Sequence, residues 1–258
     1  MTVGVAAFAG RLLARFLSRP DPRYEPLATS PPERVAAALR PCDVLLVEGN
    51  TRISTAIKYL TQSTWSHAAL YLGTGPFAGR LAGEQVLIEA DLIEGIRLVT
   101  LREYAHMHTR ICRPVGLSAQ EERRIRDAAL ARLGDRYDHK NVFDLARYLL
   151  PVPPVPSRWR RRMLALGSGE PTRAICSTFL ARVFQSVRYP ILPRIERRPS
   201  GPAECNICYD EIAHIRHYSL FVPRDFDVSP YFRIVKPALE AGFDHHALAW
   251  AAELEPAS

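Results

Sequence analysis

No stretch of the sequence runs for about 18 residues without a polar interruption, so a conventional membrane-spanning helix is not expected. Cysteine is sparse. Five in 258 residues are too few for a disulfide-stapled secreted scaffold, and an odd number leaves at least one free thiol in a single chain. No internal period is visible, which argues against coiled-coil, collagen and solenoid architectures. Acidic residues are the minority charge, 27 against 34 Lys and Arg, for a net +7. The rest is ordinary globular composition, 47% hydrophobic and 24% charged. A chain of this length buries roughly three quarters of its unfolded surface.

The positive surplus is concentrated. Residues 151–201 carry ten arginines against Glu170 and Glu196 alone. Such a field favours anionic partners: phospholipid headgroups, nucleic acid or an acidic substrate. No helix-turn-helix, RNP or zinc-finger pattern accompanies it, so nucleic acid is not expected as a partner. At the N-terminus Val5, Phe8, Ala9, Leu12, Leu13, Phe16 and Leu17 recur at helical spacing, with Arg11 and Arg15 on the other face. The arginines interrupt the apolar stretch and no basic residue precedes it, which is unlike an export signal. The expectation is a cytoplasmic protein with an amphipathic helix, docked on its own domain or lying peripherally on the inner face of an anionic membrane. Oligomeric state leaves no trace in the sequence.

Three regions follow from the punctuation. Residues 1–32 are the helix and a Pro-rich linker, 33–235 a compact domain with a basic Pro/Arg-rich insertion at 151–171, and 236–258 a tail. Within the domain the pattern predicts helices at 33–39, 54–60, 118–133, 141–150 and 175–187. It predicts strands at 43–48, 66–72, 85–90, 95–100, 110–114 and 218–223, with 189–205 as loop. Ser118 with Glu121 three residues on reads as a capping box. Helices and strands do not alternate regularly, so the class is α+β.

Cys176 falls in the first turn of a predicted helix, where unpaired N–H groups and the helix dipole favour a thiolate. Its bland reading is a small residue buried at a helix start. His67 stands at a strand otherwise apolar (SHAALYL); it is either packed or a deliberately presented imidazole. Glu89 lies in the apolar strand VLIEA. A carboxylate there requires a partner unless it faces water from a strand end. Together they give the order His, acid, Cys, the reverse of papain-like enzymes in which the Cys helix comes first.

These residues sit in segments that resemble a known family. PCDVLLVEGNTRISTAIKYLTQSTWSHAALYLG, beginning at Pro41, resembles the opening of the circularly permuted papain-like hydrolases, with their "GD(I/V)" strand, helix and "SH(A/V)…G". This is the permuted branch of the NlpC-type superfamily, which includes the YaeF/YiiX-type amidases and, distantly, lecithin–retinol acyltransferase. VLIEADLIEGIRLVTLREY, LGDRYDHKNVF and ICSTFLARVF resemble that family's later segments, so the likeness spans about 36–225. Cys42 stands where the family has Gly, and Ile175 where an aromatic is often found. The resemblance implies a permuted papain-like fold, an antiparallel sheet packed against helices that include the nucleophile helix. It implies Cys176 as nucleophile, His67 as general base and Glu89 as the orienting third residue. Ser66, Ser177, Tyr137 and Asp138 are expected around the substrate, the last two with the alternative of capping or packing their helix region.

The implied activity is that of a cysteine hydrolase or acyltransferase, cleaving an amide or ester through a thioester. A lipid is slightly favoured over a cell-wall peptide, and no cofactor is required. The alternative is a catalytically silent module of the same fold that holds a lipid or peptide. A rival site, Cys205, Cys208, His214 and His217, has metal-like spacing at each end but a central gap far shorter than a zinc finger's.

Overall fold

The structure, a computed structural model, describes residues 15–20, 24, 27–75, 79–135, 175–199 and 209–248. Its centre is a six-stranded antiparallel sheet in the order β4-β3-β2-β1-β5-β8. The strands are β1 (Val44–Val47), β2 (His67–Gly73), β3 (Val86–Asp91), β4 (Gly95–Thr100), β5 (Thr109–Pro114) and β8 (Phe232–Val235). A separate ribbon pairs β6 (Arg194–Pro199) with β7 (Tyr209–His214).

The near-continuous apolar runs of β1 to β3 follow from burial on both faces. Val44, Leu46, Ala68, Leu70, Val86 and Ile88 point to one side. There they meet helix α3 (Ala119–Leu130) through Ile125 and Ala129, and helix α4 (Ile175–Gln185) through Phe179, Leu180, Val183 and Phe184. Leu45, Val47, Ala69, Tyr71 and Leu87 point to the other side. That side is covered by Val35 and Ala38 of helix α1 (Pro32–Ala38) and by the 3-10 turn Leu101–Tyr104. Helix α2 (Arg52–Thr61) follows β1; Thr51 caps it by accepting the Ser54 N–H at 3.2 Å. Short helices α5 (Pro223–Asp227) and α6 (Pro237–Glu240) flank β8. No described helix is long and apolar enough to cross a membrane.

Two residues of the opening motif have structural duties. Asp43, fully buried, takes two bonds from Arg113 (Nε at 2.9 Å, Nη2 at 2.7 Å) and one from the Arg40 N–H. The same guanidinium reaches the Ala38 carbonyl, so the pair ties α1 to the sheet. Cys42 has φ +70, a left-handed conformation that suits glycine and costs an L-residue roughly 1–2 kcal/mol. Its side chain is fully buried in compensation.

Two sequence expectations are corrected. Residues 194–199 form a strand of the outer ribbon, not loop. Its sequence, RIERRP, shows no apolar alternation because the paired strands carry exposed polar side chains, among them Arg197 with Glu211 at 3.0 Å and His214 hydrogen-bonded to Glu196 at 2.8 Å. Residues 218–223 are a 3-10 turn leading into α5, and the last strand of the sheet is β8, farther on. Pro223 at the first helical position, with its fixed φ, favours that helix start. The expected helix at 141–150 and the insertion at 151–171 lie outside the described residues.

Candidate active site

The β1–α2 loop, the start of β2 and the start of α4 converge on a cavity of about 290 Å³. The loop is rigidly set. Ser66 Oγ, buried beside the cavity, accepts the Gly49 N–H at 2.9 Å, and the Ser66 N–H bonds the Val47 carbonyl. A Cβ at Gly49 would run into the hydroxyls of Ser54 and Ser66, so only glycine fits this approach.

His67 opens β2, opposite Val47 of β1. Its Nε2 bonds Glu89 Oε2 on β3. Burial works against the Glu89 carboxylate. The His67 imidazolium, bonds from His67 and the Tyr104 hydroxyl, and the Arg97 guanidinium outweigh it and hold Glu89 at about 2. Glu89 is therefore an acceptor only, which puts the proton on His67 Nε2 and leaves Nδ1 for the thiol. On its other oxygen, Oε1, Glu89 receives Arg97 Nε at 2.9 Å and Nη2 at 2.7 Å. Tyr104 adds its hydroxyl to Oε2. Four donors thus satisfy a carboxylate whose side chain is 4% exposed.

Cys176, the second residue of α4, is 4% exposed and faces the same cavity. Burial pushes its thiol up. The charge of His67, the His67 hydrogen bond, the Ala68 backbone N–H and Ser177 more than reverse this and bring it below its ordinary value. His67 moves the opposite way: burial opposes its charge, but Glu89 and then Cys176 raise it well above the ordinary imidazole range. The two shifts favour a thiolate–imidazolium pair.

Of the residues singled out from sequence, Cys176, His67, Glu89 and Ser66 all line this cavity. Ser177 is fully buried with its hydroxyl 3.9 Å from the Cys176 sulfur. Tyr137 and Asp138 lie outside the described residues, as do Cys205 and Cys208; His214 is spent on Glu196. Arg97 and Tyr104 were missed. Both lie within the segment VLIEADLIEGIRLVTLREY, and the signal was the carboxylate in an apolar strand, which demanded partners. The described lining holds Glu89, Asp91 and Glu103 against Arg97 and His67, while the basic insertion at 151–171 lies outside the described residues.

The fold is that of the permuted papain-like hydrolases. Residues 38–148 match the model of the permuted papain-like amidase enzymes of the YaeF/YiiX, C92 family. That match includes His67 and Glu89; Cys176 lies beyond it. No curated protein matches the chain. Among solved structures, the chain is similar to the crystal structure of metalloprotein yiiX from Escherichia coli O157:H7. Identity is 16% and the TM-score 0.46, over 77% of this chain and 97% of that one.

Proposed function

We propose that this hydrolase works by covalent acyl transfer from a lipid-like or peptidic amide or ester to Cys176. One observation carries the reading: Cys176, His67 and Glu89 line one cavity, where Glu89 holds His67 through Nε2 and the charge of His67 lowers the Cys176 thiol. The thiol proton passes to His67 Nδ1, and the sulfur attacks the carbonyl carbon. The Cys176 N–H, at a helix start where N–H groups lack intrahelical partners, stabilises the oxyanion. The C–N or C–O bond breaks, and the leaving group takes the proton from His67. Water, or another acceptor in a transferase, gives its proton to His67 and resolves the thioester to free acid or transferred acyl group. Glu89 holds the imidazole in the tautomer this requires.

Ile53, Ile57 and Met107 give the cavity an apolar wall, which supports an acyl chain as the group bound. The basic surplus of residues 151–201 supports peripheral contact with anionic lipid, which co-sedimentation with vesicles at low and high salt tests. The central experiment is intact-protein mass spectrometry after incubation with panels of acyl amides, esters and acyl lipids. An acyl adduct on Cys176, absent in Cys176→Ala and lost on longer incubation as water resolves the thioester, is the expected result. Turnover that survives Cys176→Ala would end the proposal.

A further inference from the structure

One wall of the cavity comes from outside both the matched family region and the α4 helix. Ser18 lines the cavity that holds Cys176 and His67. It sits on a segment, residues 15–20, fastened on both sides of it. Leu17 is 1% exposed, and burying a leucine contributes about 1.5–3 kcal/mol. Pro20 forms an antiparallel bridge with Thr51. The Arg52 N–H donates to the Arg19 carbonyl at 3.2 Å, and the Arg52 guanidinium lies 4.1 Å from the centre of the Phe16 ring. Four residues past Pro20 there is a second anchor. Tyr24 donates its hydroxyl to Glu48, and Lys58 Nζ lies 3.7 Å from the Tyr24 ring centre and 3.4 Å from Glu48.

The partners named for Phe16, Arg19, Pro20 and Tyr24 all lie on the β1–α2 loop and α2. Those elements carry the apolar wall residues Ile53 and Ile57. The first N–H groups of a helix have no partner within it. Thr51 satisfies that of Ser54, and the Arg19 carbonyl satisfies that of Arg52. The segment therefore does two things at once: it completes the start of α2, and it closes the side of the cavity against which α2 presents its isoleucines.

We infer that residues 15–20, with Tyr24 as outer anchor, form a strap that sets which substrate groups reach Cys176. It admits a slender acyl group along Ile53 and Ile57 and excludes bulkier or branched ones. The inference rests on Cys176 being the reacting group.

Size-graded alkylation of full-length protein tests it. Rates at Cys176 are read by peptide mass spectrometry with iodoacetamide and with a naphthyl-substituted iodoacetamide. In wild type the small reagent reacts faster. Leu17→Asp combined with Tyr24→Phe releases the strap. It is expected to raise the bulky reagent's rate by about tenfold while the small reagent's rate stays within about threefold. Ser18→Trp narrows the cavity and is expected to lower the bulky rate by a similar factor. Circular dichroism melts check that each variant is folded. Rate ratios unchanged in both folded variants overturn the strap. A Cys176 inert to both reagents in wild type fails the catalytic reading instead, and with it this one.

Discussion

Arg97 grips Glu89 from the side opposite His67, placing both Nε and Nη2 on Oε1 while Oε2 serves His67 and Tyr104. The carboxylate cannot be replaced by its amide without cost. In Glu89→Gln the new NH2 must face either Arg97 or the His67–Tyr104 pair, and every one of these is a donor. The expected outcome is a loss of about 2–3 kcal/mol in stability. A fall of about a hundredfold or more in kcat/KM accompanies it through the disturbed imidazole. Denaturant melts and steady-state kinetics on one substrate check both. A fully active, fully stable Gln variant would show that Glu89 does not orient His67.

The lowered Cys176 thiol and the raised His67 imidazole fix the sign of the pH dependence. Alkylation of Cys176 should already be rapid well below pH 8, where an ordinary thiol is protonated. In His67→Ala the imidazolium is gone and burial alone acts, so the thiol rises. Alkylation near pH 6 then drops by about a hundredfold. Turnover falls again on the alkaline side as His67 loses its proton above its raised value. Identical pH–rate curves for wild type and His67→Ala would mean that the two groups do not couple.

The parts of this fold legible in the sequence are those whose signal is local. Ser118 and Glu121 form the reciprocal cap their spacing implied, with the Ser118 N–H and hydroxyl both on Glu121 Oε2. Gly95, at φ +81, opens β4 at the expected residue. The β6–β7 ribbon was not legible, because a ribbon carrying exposed charged side chains leaves no period-2 apolar trace. Nor was β8, whose four residues become a strand only by pairing at a distant edge, Ile111 with Val235 and Pro114 with Phe232. The site divides the same way. His67, Glu89 and Cys176 each had a packing or solvent-facing alternative in local context, and it was their combination and the family resemblance that singled them out. Arg97 and Tyr104 look like any surface arginine and turn tyrosine until β4 and the following 3-10 turn fold over Glu89.

Tyr104 offers a test of positioning apart from the reacting groups. Burial and then Glu89 raise its phenol well above the ordinary range, so it stays protonated and donates. In Tyr104→Phe, Glu89 keeps Arg97 and His67 but loses one donor, its carboxylate is less strongly held down, and the field on His67 weakens. Stability should fall by about 1–2 kcal/mol. The pH profile of Cys176 alkylation should move upward as well. A purely structural tyrosine would lower the melting temperature and leave that profile in place.

Acid stability carries the last expectation. Glu89 sits at about 2 in the folded protein against an ordinary 4.5. A group depressed in the folded state contributes stability that is complete above its unfolded value and is lost as pH falls through the folded one. The loss should therefore fall between about pH 4.5 and 2, on the order of 3 kcal/mol for a shift of this size. Glu89→Gln cannot titrate. Its stability curve should be flatter over that interval, and the gap between the two proteins should close as pH falls. The check is a series of thermal melts from pH 6 to pH 2. Curves that run parallel throughout would mean that Glu89 is not the buried anion that His67, Tyr104 and Arg97 are arranged to hold.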